Sequence, residues 1–193
     1  MRLFVALELP AAVRDNLASL LEELRSVAVE ARDQRPRWVR AENLHVTLKF
    51  IGEAPAEDLD VLRNALAGVR SDGPVNITFR GLGLFPNEKH PRVFWAGLQA
   101  SPNLPALASD VDRVLATQGI PPETRAFAAH LTLARFEPPG VSEKFRKAIQ
   151  QNTARDFGTF TTREFHLIQS KTKSSGAEYT RLATFPFVTE TAR

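Results

Sequence analysis

Two tripeptides of the same form, His45-Val46-Thr47 and His130-Leu131-Thr132, carry the side chains of this chain best suited to chemistry. Each sits in a run of apolar and β-branched residues, the composition of a strand. Successive strand side chains point to opposite faces, so His45 and Thr47 share one face while Val46, Leu48 and Phe50 share the other. The second copy sets His130 and Thr132 opposite Leu131 and Leu133. Each strand thus offers an apolar face to a core and an imidazole with a hydroxyl to something else. Brought together, the two strands would place two imidazoles and two hydroxyls in one cleft. Imidazole titrates near neutrality, so one ring can take a proton while the other gives one. Threonine hydroxyls can donate to the nonbridging oxygens of a phosphate held between the rings. In-line displacement at phosphorus needs that layout: base on one side, acid on the other, donors around the equator. No evident nucleophile and no carboxylate accompanies either motif, which points away from a covalent or a two-metal route. A single H-x-T is short and common, and alone it reads as a satisfied core histidine beside a strand-forming threonine. Two copies in matching strand contexts argue for a site.

The elements that must position these strands can be read in order. Residues 2–9 predict a strand, and Pro10 suits the first turn of a helix. Leu17, Leu20, Leu21 and Leu24 recur at helical spacing, predicting an amphipathic helix to about residue 30. A basic connector with Trp38 amid Arg35, Arg37 and Arg40 leads to the first motif strand at 44–50, which Gly52 stops. A second helix is expected over 56–69. Val75 to Leu98 reads as a hairpin around the Pro86–Pro91 turn, with Gly81 and Gly83 marking bulges or close backbone approach. Leu104, Leu107, Val111, Val114 and Leu115 predict a third helix, ended by Gly119 and Pro121-Pro122. The second motif strand is expected at 129–136, a short helix at 142–151, and two more strands at 159–170 and 178–188. The two halves echo each other: strand, helix, motif strand, helix, paired strands. The pattern implies an α+β fold, with two antiparallel-sheet/helix lobes related by a pseudo-two-fold around a central cleft. Residues 1–193 are expected to form one domain of two intertwined lobes.

Composition sets outer bounds. The chain has 193 residues, 43% hydrophobic and 24% charged, enough to build a core without staples. It lacks cysteine, which excludes disulfides, thiolate chemistry and Cys-based zinc sites. The N-terminal apolar run is broken by Glu8 and Pro10, unlike a signal peptide. No stretch approaches the roughly 20 apolar residues of a membrane span. A cytoplasmic protein with no membrane partner is expected, monomeric by default. The formal charge of +3 permits a polyanionic partner without demanding one.

The ordered motifs resemble a known family. Arg2-Leu3-Phe4-Val5-Ala6-Leu7-Glu8-Leu9-Pro10, Asn43-Leu44-His45-Val46-Thr47-Leu48-Lys49-Phe50-Ile51-Gly52-Glu53, Gly81-Leu82-Gly83-Leu84-Phe85-Pro86, Pro91-Arg92-Val93-Phe94-Trp95-Ala96-Gly97-Leu98 and His130-Leu131-Thr132-Leu133-Ala134-Arg135 stand at family-like intervals. Together they are similar to the two-histidine phosphoesterases, specifically the RNA 2′,3′-cyclic phosphodiesterases also called 2′-5′ RNA ligases. The resemblance implies hydrolysis of a 2′,3′-cyclic phosphate RNA end, tRNA fragments or a nucleotide included, to a 2′-phosphate without metal or other cofactor. A weak reverse 2′-5′ ligation follows by microscopic reversibility. His45 matches the proton donor to the departing O3′, His130 the proton acceptor that activates water, and Thr47 and Thr132 the phosphate-binding hydroxyls. Two departures stand out: Ala129 replaces the usual proline before the second histidine, and Lys171 and Lys173 occupy the 171–176 loop in place of the usual pattern. The alternatives are a non-catalytic module that binds RNA ends or phosphate, and a phosphodiesterase for another cyclic or 2′-5′ linked nucleotide.

Four further residues have two readings each. Arg135 could neutralise phosphate charge, but strict alternation puts it on the Leu131/Leu133 face, so reaching the cleft requires a twist or a bulge. Lys49 has the parity to flank His45 and Thr47, or to end the strand in solvent. Trp38 suits base stacking in a basic track or packing. Tyr179 could reach substrate from the last strand or pack. His90 and His166 have no threonine partner and fall outside the expected site.

Overall fold

The computed structural model describes residues 1–31, 36–137, 139–174 and 176–187. In chain order the elements are β1 (Arg2–Glu8), α1 (Ala11–Glu30), β2 (Arg37–Trp38), β3 (His45–Glu53), α2 (Leu59–Ala67), β4 (Val75–Phe85), β5 (Val93–Ala100), α3 (Asn103–Ala116), β6 (His130–Arg135), α4 (Glu143–Gln151), β7 (Asp156–Thr162), β8 (Glu164–Lys173) and β9 (Gly176–Pro186). Two antiparallel sheets carry them, in the strand orders β3-β1-β8-β9 and β2-β6-β5-β4-β7. One motif strand therefore belongs to each sheet, and β3 and β6 approach each other across the central cleft.

The helices form where apolar residues recur at 3.6-residue spacing. Val13, Leu17, Leu20, Leu21, Leu24 and Ala28 of α1 are buried on one stripe, as are Leu104, Leu107, Val111, Val114 and Leu115 of α3. Ser142 caps α4 by accepting a hydrogen bond from the Phe145 N–H at 3.1 Å, so the last helix starts where a side chain satisfies an otherwise unpaired donor. Among the described residues no helix is long and apolar enough to cross a membrane.

The lobes do not follow the halves of the chain. After β1 in the first sheet, α1 packs against β7 and α4 of the other lobe, whereas α3 lies against β3 and α2. The expected single strand at 159–170 is two strands: β7 joins the second sheet and β8 the first, with the break at Arg163. The next strand starts at Gly176, so β8 and β9 shorten the expected loop; Ser175 within it, and Val188 at the end of the expected last strand, lie outside the described residues. The expected 56–69 helix is a short 3-10 turn at Ala56–Asp58 followed by α2. The 75–98 hairpin forms as β4 and β5, and both glycine readings hold. Gly81, at φ +82°, occupies the bulge between Phe79 and Leu82, while a Cβ on Gly83 would sit 2.1 Å from the Trp95 ring.

Candidate active site

β3 brings His45 and Thr47 to the cleft half-buried, with Val46 and Leu48 in the core; β6 does the same with His130 and Thr132 against Leu131 and Leu133. The alternation read from the sequence thus holds through the first four residues of each motif. It then breaks, in both strands, at the same place. The β1–β3 register skips Leu48, pairing Thr47 with Ala6 and Lys49 with Val5; the β5–β6 register skips Leu133, pairing Thr132 with Trp95 and Ala134 with Phe94. Each skip is a β-bulge, which inserts one unpaired residue and reverses the parity of everything after it.

Three side chains change face as a result. Arg135 turns away from Leu131 and Leu133 to the cleft face. Burial pushes the Tyr179 phenol up while the positive charges of Arg135 and Arg2 pull it down, which places Arg135 within electrostatic reach of the opposite lobe. Phe50 leaves the core face and stands exposed. Lys49 takes neither of its two expected places. It is buried beside Leu48, its ammonium 2.7 Å from an Asp112 oxygen, donating to the Pro121 carbonyl at 2.7 Å and to Glu123 at 3.4 Å.

The two imidazoles are held alike. Nδ1 of His45 lies 2.7 Å from the Asn43 carbonyl and Nδ1 of His130 lies 2.8 Å from the Ala128 carbonyl, in each case two residues upstream. A carbonyl only accepts, so Nδ1 must carry the proton in both rings, and Nε2 is left as the group that exchanges one. Aromatic side chains fix the ring planes. Phe4 packs at 4.7 Å from His45 and Tyr179 meets it edge-on at 5.4 Å; Phe85 meets His130 edge-on at 5.3 Å and itself leans on Trp95 at 5.0 Å. Trp95 can lie there because Gly83 beneath it has no side chain.

One difference breaks the pseudo-symmetry around the histidines. The residue opposite His45 on β1 is Glu8, whereas the residue opposite His130 on β5 is Gly97. Glu8 is clasped by both arms of Arg181, the Nε–H donating at 3.0 Å. Burial draws the His45 imidazole below its ordinary range, opposed by the Asn43 hydrogen bond and by the Glu8 charge.

The remaining readings resolve by packing. Trp38 pairs with Ala134 through β2 and packs edge-on against Phe94 and Phe145 with the Arg25 guanidinium over its ring, so it is a core support for β6; of its basic neighbours, Arg35 lies outside the described residues. Tyr179 does reach the site, as the edge-on neighbour of His45 and Phe4. His166 is 3% exposed and bonded through Nδ1 to Thr184 Oγ1 at 3.1 Å, and His90 stands exposed in its turn. Lys173 is tied to Glu178 across the β8–β9 hairpin. Sequence reading passed over Glu8, Phe4, Phe85 and Trp95 as parts of the site, since only strand pairing makes them neighbours of the histidines.

The model of the LigT-like phosphoesterases matches residues 7–95 and 98–179. The RNA 2′,3′-cyclic phosphodiesterase of Archaeoglobus fulgidus is 36% identical over 188 residues, 96% of this chain and 99% of that protein. TT0787 of Thermus thermophilus superposes with a TM-score of 0.78 at 30% identity, covering 98% of this chain and all of that one. E. coli LigT complexed with 3′-AMP superposes at 0.71 and 26% identity, over 96% of this chain and 97% of the other. With two bulged motif strands presenting matched imidazoles, and with similarity running nearly end to end, this chain belongs to the LigT-like phosphoesterase family.

Proposed function

We propose that this chain hydrolyses RNA ends bearing a 2′,3′-cyclic phosphate, leaving a 2′-phosphate, by general acid–base catalysis between His45 and His130. Nε2 of His130 takes a proton from water as the water oxygen bonds to phosphorus. The P–O3′ bond breaks on the opposite side, and O3′ receives the proton from Nε2 of His45. Thr47 and Thr132 donate to the nonbridging oxygens, and Arg135 offsets their charge. The observation that carries this reading is the matched locking of both Nδ1 atoms on backbone carbonyls, which commits both Nε2 atoms to proton exchange. Glu8 bears on the assignment of acid and base: burial draws the His45 pKa down, and the Asn43 hydrogen bond and the Glu8 carboxylate work against it in favour of the cationic form, while a glycine stands opposite His130. The reading extends to a monomer acting in the cytoplasm, tRNA fragments being among its substrates.

The test is a short RNA ending in a 2′,3′-cyclic phosphate, incubated with the protein in excess EDTA, with the product end identified. Turnover to a 2′-phosphate is expected. Tight binding of the same end without turnover would replace the enzyme by a binding module, and a 3′-phosphate product would reverse the assignment of the leaving oxygen.

Glu8→Gln gives a second expectation. Removing the carboxylate removes an influence that raises the His45 pKa. A smaller fraction of His45 is then protonated near neutrality. The basic limb of the pH profile of kcat/KM should move to lower pH, with the apparent values belonging to the histidine pair rather than to one ring. A limb that stays in place or moves upward would show that Glu8 does not act on the acid.

A further inference from the structure

One cation of the cleft has no part in the reaction proposed above. Arg135 serves the scissile phosphate from the second sheet. Arg2 stands on the first sheet, exposed, and its guanidinium has no ion pair or hydrogen bond among the described residues. Register fixes where it points. Arg2 alternates with Phe4, whose ring packs on His45, so both face the cleft. Across β1, β8 and β9 one row runs Arg2, Ser170, Tyr179. Cross-strand partners share a face, so a guanidinium, a hydroxyl and a phenol stand side by side on the cleft floor. Neither hydroxyl is hydrogen-bonded among the described residues. Burial pushes the Tyr179 phenol up, so it keeps its proton and can donate it to an acceptor; Arg2 and Arg135 both bear on it electrostatically, one from each lobe.

The neighbouring acids are held elsewhere. Glu53, opposite Arg2 on β3, lies 3.5 Å from the N-terminal ammonium. Glu178 is tied to Lys173, and Glu8 to Arg181. The row is therefore a set of donors with net positive charge and no acceptor of its own, the chemistry that receives an anion.

The covalent structure of a nucleotide says which anion. Tyr179 meets His45 edge-on at 5.4 Å, and in the proposed reaction Nε2 of His45 protonates O3′. O3′ is carried by C3′, from which C4′ and C5′ lead to O5′ and to the phosphate that joins the terminal nucleotide to the one before it. O2′ is carried by C2′, on the other side of C3′ from that chain. The 5′ phosphate thus leaves the reacting centre on the O3′ side, which is the side of His45 and of the row.

We propose that Arg2, Ser170 and Tyr179 form a second phosphate subsite, which grips the phosphodiester on the 5′ side of the terminal nucleotide. The assignment rests on His45 serving the leaving oxygen. Each cation then has its own phosphate, Arg135 the scissile one and Arg2 the one before. An RNA end engages both subsites, whereas a free nucleoside cyclic phosphate engages one, so the protein favours chain ends over mononucleotides.

The probes are adenosine 2′,3′-cyclic phosphate and the same molecule carrying a 5′-methylphosphate, a diester with the single charge of an RNA linkage and no second base. Both are assayed for kcat/KM in the unaltered protein, Arg2→Gln, Tyr179→Phe and Lys171→Gln. The diester is expected to be favoured by about tenfold or more, the scale of a hydrogen bond to a charged group. Arg2→Gln should abolish that advantage, and Tyr179→Phe, which keeps the ring against His45, should reduce it. Lys171 alternates with Ser170 to the reverse face of β8, so Lys171→Gln should leave the advantage whole. A purely structural effect of Arg2→Gln would slow both probes alike and preserve their ratio. No advantage in the unaltered protein, or one that survives Arg2→Gln, would overturn the proposal. So would an equal loss in Lys171→Gln, which would mean a diffuse positive field instead of a site. If neither probe nor the RNA end is turned over, the reaction itself fails, and the subsite with it, because the leaving oxygen sets the side on which the 5′ phosphate lies.

Discussion

His45→Ala and His130→Ala are each expected to lower kcat by about 10²–10⁴-fold, the range for losing one general acid or base. Their thermal unfolding should stay near that of the unaltered protein. Both rings sit at the cleft surface, half-buried, and neither is among the fully buried side chains of the core. Their backbone neighbours are held by strand pairing that alanine preserves. The double variant should lose less than the product of the two single losses, because an acid without its base, or the reverse, leaves the step without concerted proton transfer. Single-turnover rates on a cyclic-phosphate RNA end, measured with binding of the same end, separate chemistry from affinity. Either single variant retaining near wild-type rates would sink the acid–base assignment.

Lys49→Met is expected to leave the chemistry in place and weaken the fold, by about 3 kcal/mol. Removing one partner of a buried ion pair costs about 3–5 kcal/mol because the other charge stays behind without compensation. Asp112 keeps 22% of its side-chain surface in water, which puts the expected value at the low end. The Lys49 side chain is 2% exposed and its three donors meet three acceptors: Asp112 of α3, the Pro121 carbonyl and Glu123. Asp112 in turn accepts the Glu123 N–H on both oxygens, at 3.1 and 3.2 Å. The cluster thus fastens the first motif strand to α3 and to the segment that leads into the second motif. For a chain of this size the loss corresponds to a Tm drop of about 6–12 °C. An unchanged Tm in Lys49→Met, or in Asp112→Asn, would mean that the hydrophobic contacts of β3 alone hold this seam.

Lys49 also marks where reading the sequence stops. A count of residues along a strand gives the parity of each side chain only while every residue has a cross-strand partner. His45, Thr47, His130 and Thr132 precede the bulges, so their common face is legible from the motif. Lys49, Phe50 and Arg135 follow them, and each lies on the face opposite to the one alternation gives. The bulges are set by which hydrogen bonds β1 and β5 offer, and those strands are remote in sequence from the motifs they pair with. Sheet membership has the same character. Residues 159–170 carry one unbroken strand composition, and only pairing of β7 with β4 and of β8 with β1 divides them between the lobes.

What the chain determined by itself is everything local: the helical stripes, the hairpin with its glycine positions, the two motif strands and the chemistry their side chains allow. Several of the features that separate one histidine from the other were decided only in three dimensions. Glu8 stands beside His45, and Phe50 and Arg135 face the cleft, because two antiparallel sheets pair residues far apart in sequence. In such sheets, neighbourhood is fixed by hydrogen-bond register rather than by distance along the chain.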